Sequence, residues 1–113
     1  MNGRGNGDSC QELRVLEKDL LRATKRLEKT ENLLAWVMIQ AEIDEIKDRI
    51  GWVLLDREEY EKGLAWYKSF SSSTQGEAKC NGMSRALIEM GCYDEARKVL
   101  EKGLKRFPES YVL

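Results

Sequence analysis

The stretch MGCYDEARKVLEKGLKRFP spans residues 90–108. It holds the chain's only proline. Gly91 reads as a helix break, and the residues after it carry apolar and small side chains at helical spacing. Moved back by 33 residues, the pattern recurs. Tyr93 aligns with Tyr60, Ala96 with Gly63 and Leu100 with Tyr67. Upstream of the turn, Leu87 aligns with Leu54, Met83 with Ile50 and Ser84 with Gly51. Small residues meet small ones, and large apolar residues meet large ones. Each copy is therefore expected to hold two helices, at about residues 44–56 with 59–70, then 77–90 with 93–106. Between the copies, SSSTQG at residues 71–76 reads as a loop.

The first part of the chain has a different rhythm. No glycine or proline falls between Asp8 and Gly51. Leu13, Leu16, Leu20, Ala23, Leu27, Thr30, Leu34, Val37 and Ala41 follow steps of three and four, an apolar stripe on a helix. Asp8 or Ser9, with Gln11 or Glu12 three residues on, suits a capping box. Charges of alternating sign suit a solvated opposite face. The stripe then shifts to Ile39, Ile43, Ile46, Ile50 and Leu54. A kink or tight turn near residues 40–44 would account for the change of face. No alternating β pattern of useful length occurs, so the chain reads as all-α.

Composition narrows the function classes. The chain has 113 residues, enough for one compact domain and not two. Hydrophobic residues make up 42% and charged residues 35%, which is not a disordered composition. A net charge of −1 argues against broad nucleic-acid or anionic-membrane binding by bulk field. No apolar run approaches the ~20 residues that span a bilayer. MNGRGNGDSC has no apolar signal-peptide core and reads as a flexible lead-in. Three cysteines, Cys10, Cys80 and Cys92, with no signal sequence suggest reduced thiols in the cytoplasm. They read as small apolar residues rather than as a metal site. There is no histidine, which removes the commonest general base and zinc ligand.

With its spacing set out, the C-terminal half resembles the tetratricopeptide repeat family. That family's pattern is W-x2-L-G-x2-Y, then A-x3-F, then P, at a period of about 34 residues. The C-terminal copy reads Cys80, Met83, Ser84, Leu87, then Ala96, Leu100 and Pro108. GCYDEA, residues 91–96, matches the inter-helix turn. The preceding copy reads Lys47, Ile50, Gly51, Leu54, then Gly63 and Tyr67. It departs at Lys47, at Phe70 and in lacking a closing proline. The resemblance implies an α-solenoid of antiparallel helix-turn-helix repeats. The organisation expected is a flexible 1–9, a long helix or helical hairpin over 10–43, repeats at 44–76 and 77–108, and a tail at 109–113. Two repeats are few for this architecture, so the N-terminal helix is expected to supply a further layer. Little sequence follows Pro108 for a capping helix, from which self-association or a longer parent protein is expected.

The resemblance also implies a binding face on the first helix of each repeat. Carried over by position, it comprises Asp48, Arg49, Trp52 and Leu55 in one copy and Asn81, Arg85, Ile88 and Glu89 in the next. Trp52 and Arg85 are equivalent positions, and both types are enriched at interface hot spots. The family's carboxylate clamp for chaperone tails is not matched, since Asp48 and Trp52 suit no carboxylate. Trp36 reads as core. Of Trp66 and Tyr67, one must lean outward.

Charge is uneven along the chain. Residues 42–62 hold eight acidic and four basic side chains, whereas 97–106 hold five basic and one acidic. The expected function is protein binding, as an adaptor, scaffold or chaperone-like module with a peptide or helix as partner. A second reading is a structural protein that oligomerises, coiled-coil fashion, through Leu13, Leu16, Leu20 and Leu27. Neither reading needs a cofactor, metal, nucleic acid or membrane. Catalysis finds no support in a chain without histidine, a glycine-rich phosphate loop or a metal-spaced cluster.

Overall fold

The computed structural model describes residues 6–72 and 75–108. These form five helices and, among the described residues, no strand. The helices are α1 (Asn6–Lys29), α2 (Leu33–Asp56), α3 (Tyr60–Lys68), α4 (Gly76–Glu89) and α5 (Tyr93–Arg106). Two compact units divide the chain, Met1–Val53 and Leu54–Leu113, with α2 running through the division.

In the first unit, α1 and α2 form an antiparallel hairpin. The helix starts at Asn6, ahead of the start expected at Asp8 or Ser9. The apolar stripe of α1 points into the chain. Leu16 and Ala23 are buried, and Leu13, Leu20 and Leu27 are half-buried. Of the four leucines of the expected oligomerisation seam, Leu16 alone is buried within the chain.

The break between the two helices falls at residues 30–32, not at 40–44. No turn interrupts α2 at 40–44, where the Gln40 amide donates to the Asp44 carboxylate at 3.1 Å, one turn along the same helix. The real break uses no glycine or proline. The Thr30 hydroxyl donates to the Arg26 carbonyl at 2.6 Å, closing α1. Asn32 then caps α2, its side-chain oxygen accepting from the Ala35 N–H at 3.0 Å. The shift of stripe seen in the sequence is thus two faces of one continuous helix. Ile39, Ile43, Ile46, Ile50 and Val53 form the buried face. Leu34, Val37 and Ala41 lie on the exposed one.

In the second unit, α4 packs against both α3 and α5. Tyr67 of α3 is wholly buried and lies 4.9 Å from the Phe70 ring, centroid to centroid. Trp66 is the outward member of its pair, half-buried and edge-on to Phe70. Gly82 of α4 faces Tyr67 so closely that a Cβ there would lie inside the van der Waals envelope of the ring. Gly76, at the start of α4, lies under the end of α5, where an added Cβ would meet Phe107 at 3.1 Å. Tyr93, which aligns with the half-buried Tyr60, is largely exposed.

The two inter-helix turns of the second unit share one backbone geometry. Where α2 gives way to α3, the Leu54 carbonyl accepts from the Glu59 N–H at 3.0 Å and the Leu55 carbonyl from the Glu58 N–H at 2.9 Å. Where α4 gives way to α5, Leu87 accepts from Cys92 at 2.8 Å and Ile88 from Gly91 at 3.0 Å. Every partner is displaced by 33 residues. Both turns are Schellman motifs closed by a residue in the left-handed region. That residue is Glu58 with φ 63° in the first turn and Gly91 with φ 81° in the second. The next residues also coincide, Glu59 at φ −91°, ψ 65° and Cys92 at φ −89°, ψ 66°.

One copy thus places an ordinary side chain where glycine is preferred. Glu58→Gly is expected to stabilise the fold by about 1 kcal/mol, and Gly91→Ala to destabilise it by a similar amount. Urea midpoints of the two variants check this. Shifts of the same sign would contradict the equivalence of the turns.

Candidate interaction surfaces

On α4, Asn81, Arg85, Ile88 and Glu89 recur at i, i+4, i+7 and i+8 and share one face. Asn81 is half-buried, and the other three are exposed. The Arg85 guanidinium lies 3.4 Å from the Glu89 carboxylate. Glu89 also accepts a hydrogen bond from the hydroxyl of Tyr60, at the start of α3. The surface is therefore charged but balanced, with Ile88 as its apolar centre. Tyr60 belongs to this cluster through tertiary contact alone, and no spacing in the sequence announces it.

Desolvation, followed by the charges of Glu89 and Glu58, holds the Tyr60 phenol above its ordinary 10.0. The folded state therefore favours the neutral phenol. That contribution is complete below pH 10.0 and is lost as the pH rises through the raised folded value. Tyr60→Phe is expected to flatten the fall in stability on the alkaline side. Urea midpoints from mildly to strongly alkaline pH would test this, and an unchanged slope in the variant would refute it.

The other expected face residues lie on the C-terminal part of α2. Asp48 and Trp52 are half-buried. Arg49 is exposed and lies 3.5 Å from Glu45. Leu55 does not belong to a binding face. It is buried, and its Cδ2 would lie 2.7 Å from a Cβ added at Gly63. It fills the gap left by that glycine and is core.

The first unit also carries a groove of about 330 Å³ between α1 and α2. Ala23 and Ile46 form its apolar floor, and three arginines line its sides, each beside a carboxylate. The pairs are Arg22 with Asp19 at 3.7 Å, Arg26 with Glu42 at 3.3 Å and Arg49 with Glu45 at 3.5 Å. All are exposed, so each contributes little to stability. Together they leave the groove without net charge and without a preference for an anion or a cation.

A third surface was not anticipated. Trp36, read as core, is 42% exposed, and its neighbours at the start of α2 are more exposed still. The available signal was LLAWVMI, residues 33–39, a continuous apolar run in which no polar face exists to be turned to solvent.

Among the described residues, no group of three or more cysteines and carboxylates is placed to hold a metal ion. None of the helices is long and apolar enough to cross a membrane. Cys10, Cys80 and Cys92 are free thiols and half-buried. No family model, curated protein or solved structure matches the chain.

Proposed function

We propose that this chain is a tetratricopeptide-like interaction module that binds a segment of a partner protein. The observation that carries the reading is the paired turn, in which the same hydrogen bonds and backbone angles recur at a 33-residue spacing. Such units present the exposed face of their first helices. In the second unit that face comprises Asn81, Arg85, Ile88 and Glu89 on α4, and the equivalent residues of the first unit, taken by themselves, are Asp48, Arg49 and Trp52 on α2. Ile88 supplies apolar contact, and Arg85 and Glu89 supply orientation by exchanging their mutual ion pair for partner groups. The module works as an adaptor or scaffold in a reducing, cytoplasmic setting, which suits its free thiols. It is not an enzyme on this reading. Assembly through the leucines of α1 has less support, since Leu16 is already buried within the chain.

The test is site-specific photo-crosslinking in native extract. A photoreactive residue at position 88 is expected to capture a discrete partner, and Arg85→Glu to abolish the capture. The same probe at Lys102, on α5, serves as the control. Equal capture at both positions, or none at position 88, would overturn the reading.

A further inference from the structure

The start of α2 is the most apolar exposed part of the described chain. Five of the ten exposed large hydrophobic residues lie in one short run, Leu33 at 77%, Leu34 at 71%, Trp36 at 42%, Val37 at 51% and Met38 at 65%. Together they leave roughly 500 Å² of apolar surface open, near the upper end of what a soluble monomer exposes. Asn32 fixes the helix from its first turn, so the patch is preformed.

We propose that this patch is a homodimer interface, and that two copies of α2 pair antiparallel across a two-fold axis at Val37 and Met38. Three observations favour a second copy as the occupant. Leu33, Leu34, Val37 and Met38, the members on the axis side of the helix, remove up to about 900 Å² from solvent when two copies meet, close to the threshold for a specific interface. A two-fold axis lets one patch serve both sides, so no second apolar surface is needed. The charges then select the direction. Beyond Ala41 the same face of α2 turns acidic, with Asp44, Glu45 and Asp48. A parallel pair would stack these carboxylates on their own copies, which is unfavourable.

The antiparallel register avoids that repulsion. It sets Leu34 against the partner's Ala41 and Val37 against the partner's Met38. Glu45 falls just beyond the partner's Leu33, at the N-terminus of the partner's α2, which favours a carboxylate. An anionic lipid surface fits less well, because Glu42, Asp44 and Glu45 border the patch.

The interface differs from the α1 leucine stripe and is independent of the partner-binding reading. The full chain is expected to sediment as a dimer at tens of micromolar. Met38→Glu, at the axis, buries two like charges against each other and is expected to weaken the dimer by about ten-fold or more. Met38 is exposed in the single chain, so helical content by circular dichroism should not change.

Disulfide trapping reads the register. In a parent carrying serine at positions 10, 80 and 92, Met38→Cys is expected to cross-link to itself on mild oxidation. Leu33→Cys is not, since the two copies lie roughly 13 Å apart along the helix axis, beyond disulfide reach. A monomer at these concentrations, a dimer indifferent to Met38→Glu, or equal trapping at both positions would overturn the proposal. So would a monomer that co-sediments with phosphatidylserine-containing vesicles, which would assign the patch to a membrane surface.

Discussion

Tyr67→Ala is expected to lower the unfolding free energy by about 4 kcal/mol, the largest effect of any single substitution discussed. Tyr67 is the only large side chain that is completely buried among the described residues. Its ring is fixed on one side by Phe70 and faces the bare backbone of Gly82 on the other. Truncation removes that ring from the junction of α3 and α4 and leaves a cavity that helical backbone cannot collapse to fill. Against the 5–15 kcal/mol typical of a whole domain, such a loss is severe. Urea denaturation followed by far-ultraviolet circular dichroism measures it. A loss of less than about 1 kcal/mol would mean that the ring is not held in this way.

Gly82→Ala is expected to cost about 2 kcal/mol or more, although alanine is the better helix former. The exchange gains about 1 kcal/mol in helix propensity. The new methyl group, however, falls within the Tyr67 ring, which has no free volume to move into, and overpacking of this kind costs up to about 3 kcal/mol or occasionally more. Gly63→Ala is the contrast. There the nearest atom is the tip of the Leu55 side chain, which can change rotamer, and the equivalent position in the other copy is already Ala96. Gly63→Ala is therefore expected to be close to neutral.

The double variant Gly82→Ala, Tyr67→Leu should be more stable than the two single effects predict by addition, because leucine vacates the space that the methyl group needs. Strict additivity would show that positions 67 and 82 are not in contact. Unfolding midpoints of the four proteins in the cycle decide it.

Much of this was legible along the chain. The repeat offset of 33 located both turns and the starts of α3 and α5 to within a residue, because a turn is set by local hydrogen bonding and glycine or a charged residue can close it. The inward stripe of α1 was legible for the same reason, since periodicity reports which face is apolar. What periodicity cannot report is which apolar face is covered. Leu34, Val37 and Ala41 lie on α2 at helical spacing just as Leu13, Leu16 and Leu20 do on α1, yet the structure leaves the first set open.

The break at residues 30–32 was missed because Thr30 and Asn32 act through side-chain hydrogen bonds, a weaker mark in sequence than glycine or proline. The α4 face was placed by the repeat alone. Tyr60 joined it only through a contact with Glu89, 29 residues further along.

The helical character of the chain, the places of its paired turns and the alternation of apolar and polar residues depend on interactions within a few residues and are written in the sequence. That Leu55 and Leu16 are interior, that Trp36 and Tyr93 are exposed and that Gly82 admits the Tyr67 ring follows from packing across the fold. Burial is a property of what a residue meets across space, and neighbours along the chain do not fix it.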